Sequence, residues 1–134
     1  MKLICYFDGS YRCNKNKMYW AFVINDQNGN IIQQKNSSLT QKVCTSNLAE
    51  FIALKELLLF LNEYSQSNTI SNVEIYGDCK NIINGINGES KIRPKHLKEI
   101  KDICLEYIDQ IKCEDIEISW ISRKNNTTCD RLMR

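Results

Sequence analysis

The sequence predicts an α/β fold, a mixed sheet with helices packed on it, from three observations. Residues 2–39 carry three consecutive strand-like runs. From about residue 45 the apolar period lengthens to that of a helix. Strand and helix patterns then alternate to the C-terminus. The order reads β-β-β-α-β-α-α-β-α, with the opening strands as an antiparallel meander. A chain of 134 residues, 43% of them hydrophobic, fits a single domain over 1–134 with its own core.

Residues 2–8 read as the first strand, ended by Gly9-Ser10. Residues 18–25 are rich in aromatic and β-branched types and form the second. Asn28-Gly29 is a strong hairpin signal, and Ile31 to Leu39 returns as the third. Leu54, Leu57, Leu58 and Leu61 then recur at helical spacing. Thr45 or Asn47 caps this helix, and Glu50 stands three residues after Asn47 as in a capping box. Ser65–Ser71 reads as a loop, 72–78 as a strand and 79–87 as a short helix that breaks near Gly85 and Gly88. Pro94 suits the first turn of the next helix, whose apolar face is Leu97, Ile100, Cys104, Tyr107 and Ile111. Ile116, Ile118 and Trp120 alternate in a last strand, and Cys129 to Arg134 is a final stub of helix.

Composition narrows the class. A net charge of +2 does not by itself announce a nucleic-acid binder. Seven cysteines form no CxxC pair, and none has a histidine at zinc-like spacing, which argues against a structural zinc. Cys5 and Cys104 sit in apolar runs as small hydrophobes, and reduced thiols suit a cytoplasmic location. A strand begins almost at residue 1, which leaves no room for a signal peptide. The longest apolar run, Leu57–Leu61, is far too short for a membrane span, and nothing marks an obligate protein partner.

Four carboxylates occupy element boundaries: Asp8, Glu50, Asp78 and Asp130. Asp8 and Asp78 end strands that would be parallel neighbours, where ligand sites of open α/β sheets lie. Singly, Asp8 also reads as a turn residue, Glu50 as an acid favoured near a helix start, and Asp130 as a helix cap. Together they offer hard oxygen ligands suited to Mg²⁺ or Mn²⁺ and to phosphate chemistry.

The motifs around these acids resemble a type 1 ribonuclease H of the ribonuclease H-like superfamily. Asp8-Gly9-Ser10 is similar to that family's DGS or DGA first-strand motif. Thr45 to Glu50 resembles its T-x-N-x-x-E helix start. Gly77 to Glu89 resembles the S-D-S-Q…N-G-E run of the short-loop branch, which includes archaeal enzymes and reverse-transcriptase-like domains. Trp120 to Asn126 with Asp130-Arg131-Leu132 resembles the W-V-x-R-x-x-N…A-D-x-L ending. The resemblance implies a five-stranded mixed sheet, three antiparallel strands then parallel ones, with helices on both faces.

It also implies hydrolysis of the RNA strand of RNA–DNA hybrids with two divalent ions, Mg²⁺ or Mn²⁺. Asp8 would bridge both, Glu50 and Asp78 would share the leaving-group ion, and Asp130 would help hold the ion beside the water. Ser10, Asn14, Thr45, Asn47 and Lys80 fall at substrate positions: Asn47 for the minor groove, Thr45 for a phosphate, Lys80 in place of the usual Gln. The chain departs from the family in several places. Cys13-Asn14-Lys15-Asn16-Lys17 replaces a glycine-rich segment, Cys79 replaces a serine, and no histidine lies between Trp120 and Asp130. His96 reads as a surface residue, and Lys91, Arg93, Lys95 and Lys98 as a solvated basic face. Cys79 and Cys129 read as inert small side chains or as thiols at the rim of the metal site. The alternative function is a non-catalytic nucleic-acid-binding or assembly module. A proofreading-type exonuclease would need Asp-x-Glu in the first strand, which Asp8-Gly9-Ser10 lacks.

Overall fold

The computed structural model describes all 134 residues. Its strands are β1 (Lys2–Arg12), β2 (Lys17–Asp26), β3 (Ile31–Leu39), β4 (Ile70–Gly77) and β5 (Cys113–Trp120). Its helices are α1 (Ser46–Ser65), α2 (Lys80–Ile86), α3 (Lys95–Gln110) and α4 (Thr127–Leu132), with a 3₁₀ turn at Arg123–Asn125. They form one five-stranded sheet in the order β3-β2-β1-β4-β5. The first three strands are antiparallel, and β4 and β5 run parallel to β1. This is the mixed sheet the sequence predicts.

Strand alternation divides the core between two faces. Leu3, Cys5 and Phe7 of β1, with Trp20, Phe22 and Ile24 of β2, join one large cluster beneath α1 and α3. Ala21 and Val23, the intervening residues of β2, pack instead with Cys129 of α4 and Met133 just after it. Helices therefore cover both faces. Nearly every residue of β2 from Met18 to Ile24 is buried because both of its faces are covered. The α1 helix is the central one, with Leu54, Leu57, Leu58 and Leu61 fully buried.

Two boundaries differ from the sequence reading and a third decides between its alternatives, each for a physical reason. Gly9-Ser10 does not end β1, because Gly9 pairs with Trp20 and Ser10 with Tyr19 and the ladder continues to Arg12. The turn falls at Cys13–Asn16, where Asn16 takes a left-handed φ of 46°. Thr45, not Asn47, caps α1: its side chain accepts the Leu48 N–H at 3.0 Å, which frees Asn47. Pro94 sits one residue before α3 at its cap position, where a missing N–H leaves no bond unmade. The β2–β3 hairpin follows the Asn-Gly signal. Gly29 has φ 86°, and Asp26 Oδ1 accepts the Asn28 and Asn30 N–H groups at 2.9 Å.

Candidate active site

Three of the four acids converge at the edge where β1 and β4 run side by side. Asp8 lies within β1, and Asp78 immediately follows β4, its parallel neighbour. Glu50 reaches them from the second turn of α1, where Gly9 lets the helix approach the strand. Their ligand oxygens all lie within 4.8 Å of one another. Asp8 and Glu50 are buried and Asp78 is half-buried, so the cluster is open on the Asp78 side.

Like charges this close and this dry are costly, and the protonation equilibria respond. Burial pushes the Asp8 carboxyl up to about 6, reinforced by Asp78; a hydrogen bond from Glu50, the Gly9 N–H and Arg123 pull it back. Burial raises Glu50 well above the carboxylate range, helped by its hydrogen bond to Asp8 and repulsion from Asp8 and Asp78. Both acids therefore favour protonation, and a proton held between them relieves the repulsion. Glu50 Oε2 is buried without any hydrogen-bond partner. Clustered hard oxygens, one of them buried and unpartnered, fit a divalent cation such as Mg²⁺ or Mn²⁺. A cation replacing the shared proton would offset the repulsion that the fold accepts here.

Asp130 is not brought into this cluster. It lies on α4, its side chain 46% exposed, with Oδ2 2.7 Å from Arg134 Nη2. Ser10, Asn47 and Lys80 line the cleft above the acids, together with Ser46, Cys79, Asn81 and Arg123. Lys80 Nζ stands 4.5 Å from the centre of the Trp120 ring, and the Trp120 indole donates to the Asp78 carbonyl at 3.1 Å. Thr45 and Asn14 do not line the cleft. The Thr45 hydroxyl is engaged as the α1 cap, and Asn14 is exposed in the β1–β2 turn.

Cys79 is half-buried at the cleft, its Sγ 3.8 Å from Asn47 Oδ1. Cys129 is not at a rim: it is fully buried between α4 and β2, and burial, then the nearby acids, keep its thiol protonated. The helix turns Cys129 inward and Asp130 outward, a one-residue phase that the bare sequence leaves open. His96 is half-buried, with Nε2 unpartnered, in a separate groove beside Trp20 and Ile100. Sequence reasoning gave no role to Arg123 or Asn126. Arg123 lines the cleft and favours the ionised form of Asp8. Asn126 is buried and donates Nδ2 to Phe7 O at 2.9 Å and to Asp78 Oδ2 at 3.1 Å. The only sequence signal was their place in the Trp120–Asn126 motif.

Comparisons with known proteins place this geometry in a family. Residues 6–134 match the family described as reverse transcriptase-like. The structure of RNase H1 from the halophilic archaeon Halobacterium salinarum NRC-1 superposes with a TM-score of 0.85, at 21% identity, over 98% of this chain and 94% of that one. LC11-RNase H1 in complex with an RNA/DNA hybrid gives 0.86 at 24% identity, over 97% and 92%. A second LC11-RNase H1 structure, of the protein isolated from compost by a metagenomic approach, gives 0.79 at 26% identity, over 98% and 91%. The search of curated proteins yields no match. The chain belongs to the reverse transcriptase-like family, and its fold is that of the type 1 ribonucleases H.

Proposed function

We propose that this single ribonuclease H-like domain is an endonuclease that hydrolyses the RNA strand of RNA–DNA hybrids by a two-metal-ion mechanism. The observation that carries the reading is the convergence of Asp8, Glu50 and Asp78 at the parallel-strand edge of this fold. The complex of LC11-RNase H1 with an RNA/DNA hybrid supports the substrate class. No helix is long and apolar enough to cross a membrane, and a cytoplasmic location suits the reduced thiols.

Asp8, Glu50, Asp78 and Asp130 would hold two Mg²⁺ or Mn²⁺ ions. When bound, these supply an activated water and neutralise charge at the leaving 3′-oxygen. The chain's own residues do the rest. Glu50 gives up the proton it shares with Asp8 as the site loads. Ser10 and Asn47, at the cleft, offer hydrogen-bonding groups to the hybrid, and a ribose 2′-hydroxyl lets such groups tell RNA from DNA. Lys80, held over Trp120, presents a positive charge to phosphate. Arg123 adds a second cation on the same cleft. Thr45 and Asn14 contribute to the substrate path around the cleft rather than within it.

The non-catalytic alternative has one observation in its favour, the engagement of Asp130 by Arg134 away from the other acids. One experiment separates the two readings. A hybrid labelled on its RNA strand is incubated with the protein, with and without Mg²⁺ or Mn²⁺, beside Asp8→Asn. The expected result is metal-dependent cleavage that Asp8→Asn abolishes while hybrid binding remains. Asp8→Asn activity within a few-fold of wild type, or no wild-type cleavage in either metal, overturns the nuclease reading.

A further inference from the structure

We infer that Asn126 is a positioning residue that sets three of the four acids relative to one another, through its side-chain amide and its backbone carbonyl. The inference rests on reading the acids as a metal site. Asn126 lies between the 3₁₀ turn after β5 and α4, and it is 2% exposed. Its Nδ2 donates to the carbonyl of Phe7 at 2.9 Å and to Asp78 Oδ2 at 3.1 Å. Phe7 is the residue before Asp8 on β1, and Asp78 follows β4. One amide therefore ties the carboxylate of the second strand to the backbone of the first at the point where Asp8 departs.

The orientation of that amide is fixed by chemistry. Both partners of Nδ2 are acceptors, so a flipped amide would press Oδ1 against two acceptors. The backbone supplies the third link. The Asn126 carbonyl accepts the Asp130 N–H at 3.4 Å, and the Asn126 N–H donates to Arg123 O at 3.0 Å. The helix that presents Asp130 thus begins at this residue.

No other residue type does this here. Aspartate has the same length but no N–H to give at neutral pH, and it would add a negative charge beside Asp78. Serine is too short to span both acceptors, and glutamine is one methylene longer than the buried space is built for. Asn126 Oδ1 is buried with no hydrogen-bond partner. Such an orphan forfeits the hydrogen bonds it would make to water and is destabilising. A side chain selected only for packing would avoid that cost, whereas one selected to aim Asp78 accepts it. Groups that orient metal ligands in this way affect affinity strongly without touching the ion.

The test measures Mg²⁺ binding by calorimetry on the protein without nucleic acid, then steady-state cleavage of a hybrid. Asn126→Ala is the first variant. Asn126→Ser, neutral and too short to span both acceptors, replaces it if the first does not fold by circular dichroism. The expected result is a folded variant whose Mg²⁺ dissociation constant rises about 10–100-fold. Its kcat falls while KM for the hybrid is unchanged, because a buried amide does not reach nucleic acid. A folded variant with Mg²⁺ affinity within twofold of wild type overturns the inference. So does a raised KM with unchanged kcat, and so does failure of both variants to fold, which assigns the residue a purely structural role. Wild-type protein that binds Mg²⁺ but leaves the hybrid uncut sinks the nuclease reading alone. Wild type that cuts, beside a variant that binds Mg²⁺ equally well, sinks the Asn126 inference alone.

Discussion

Gly9 of β1 lies directly beneath the backbone of Glu50: a Cβ at Gly9 would overlap the Glu50 nitrogen and the carbonyl group of Ala49. The glycine is there for closeness, not for a left-handed turn, since Gly29 and Gly88 alone among the glycines have positive φ. That closeness brings a helix residue into the same cluster as two strand-edge acids. A backbone overlap cannot be relieved by a rotamer change, so Gly9→Ala must shift α1 from the sheet. The expected cost is about 1–3 kcal/mol in urea unfolding. Mg²⁺ binding should weaken with it, because Glu50 moves away from Asp8. Unchanged stability and unchanged Mg²⁺ affinity in Gly9→Ala would show that the helix does not depend on this contact.

The shared proton makes a pH prediction with a definite sign. Burial raises Asp8 to about 6 and lifts Glu50 well above its ordinary value, so the fold binds more protons than the unfolded chain. The metal-free protein therefore loses stability as pH rises from the ordinary carboxylate range through about 6 and beyond. A bound cation reverses the effect by stabilising both ionised forms. Mg²⁺ should raise Tm more at about pH 8 than at about pH 5.5, and its binding should release protons into the buffer. Calorimetry in buffers of different ionisation enthalpy reads that release directly. No proton release near pH 6, with a Tm increment independent of pH, would remove the shared proton from the account.

Element order and strand partnership were legible in the sequence because they rest on period. Alternation marks β5, aromatic and β-branched composition marks β2, the Leu54–Leu61 stripe marks α1, and the meander-then-alternation order implies that β1 and β4 are parallel neighbours. The strand-edge placement of Asp8 and Asp78 follows from that alone. The length of β1 was not legible, because Asp-Gly-Ser is turn chemistry unless a partner strand pairs with it, as Trp20 and Tyr19 do. Asn126 was not legible either. Its partners lie 119 and 48 residues away, and no local pattern reports a contact of that range. The facing of α4 was the third gap. A six-residue helix carries too few turns for an apolar stripe to say whether Cys129 or Asp130 points inward.

The outward facing of Asp130 leads to the last prediction. Asp8, Glu50 and Asp78 form a tight group, whereas Asp130 is half-exposed and bound to Arg134 one helical turn on. In the absence of nucleic acid, the three-acid group alone should determine cation affinity. Asp78→Asn should therefore weaken Mg²⁺ binding about tenfold or more, by removing one charge from the group. Asp130→Asn should leave it within about twofold, since its carboxylate does not belong to the cluster. It should also leave stability nearly unchanged, because an exposed i, i+4 ion pair contributes only about 0.3–0.5 kcal/mol. If Asp130 completes the site only when substrate is present, Asp130→Asn should still lower turnover of the hybrid strongly. The measurements are Mg²⁺ calorimetry on both variants and cleavage rates at saturating metal. Loss of Mg²⁺ affinity in substrate-free Asp130→Asn, equal to that in Asp78→Asn, would mean that α4 swings its acid inward in solution and that the Arg134 pair is only one of two positions.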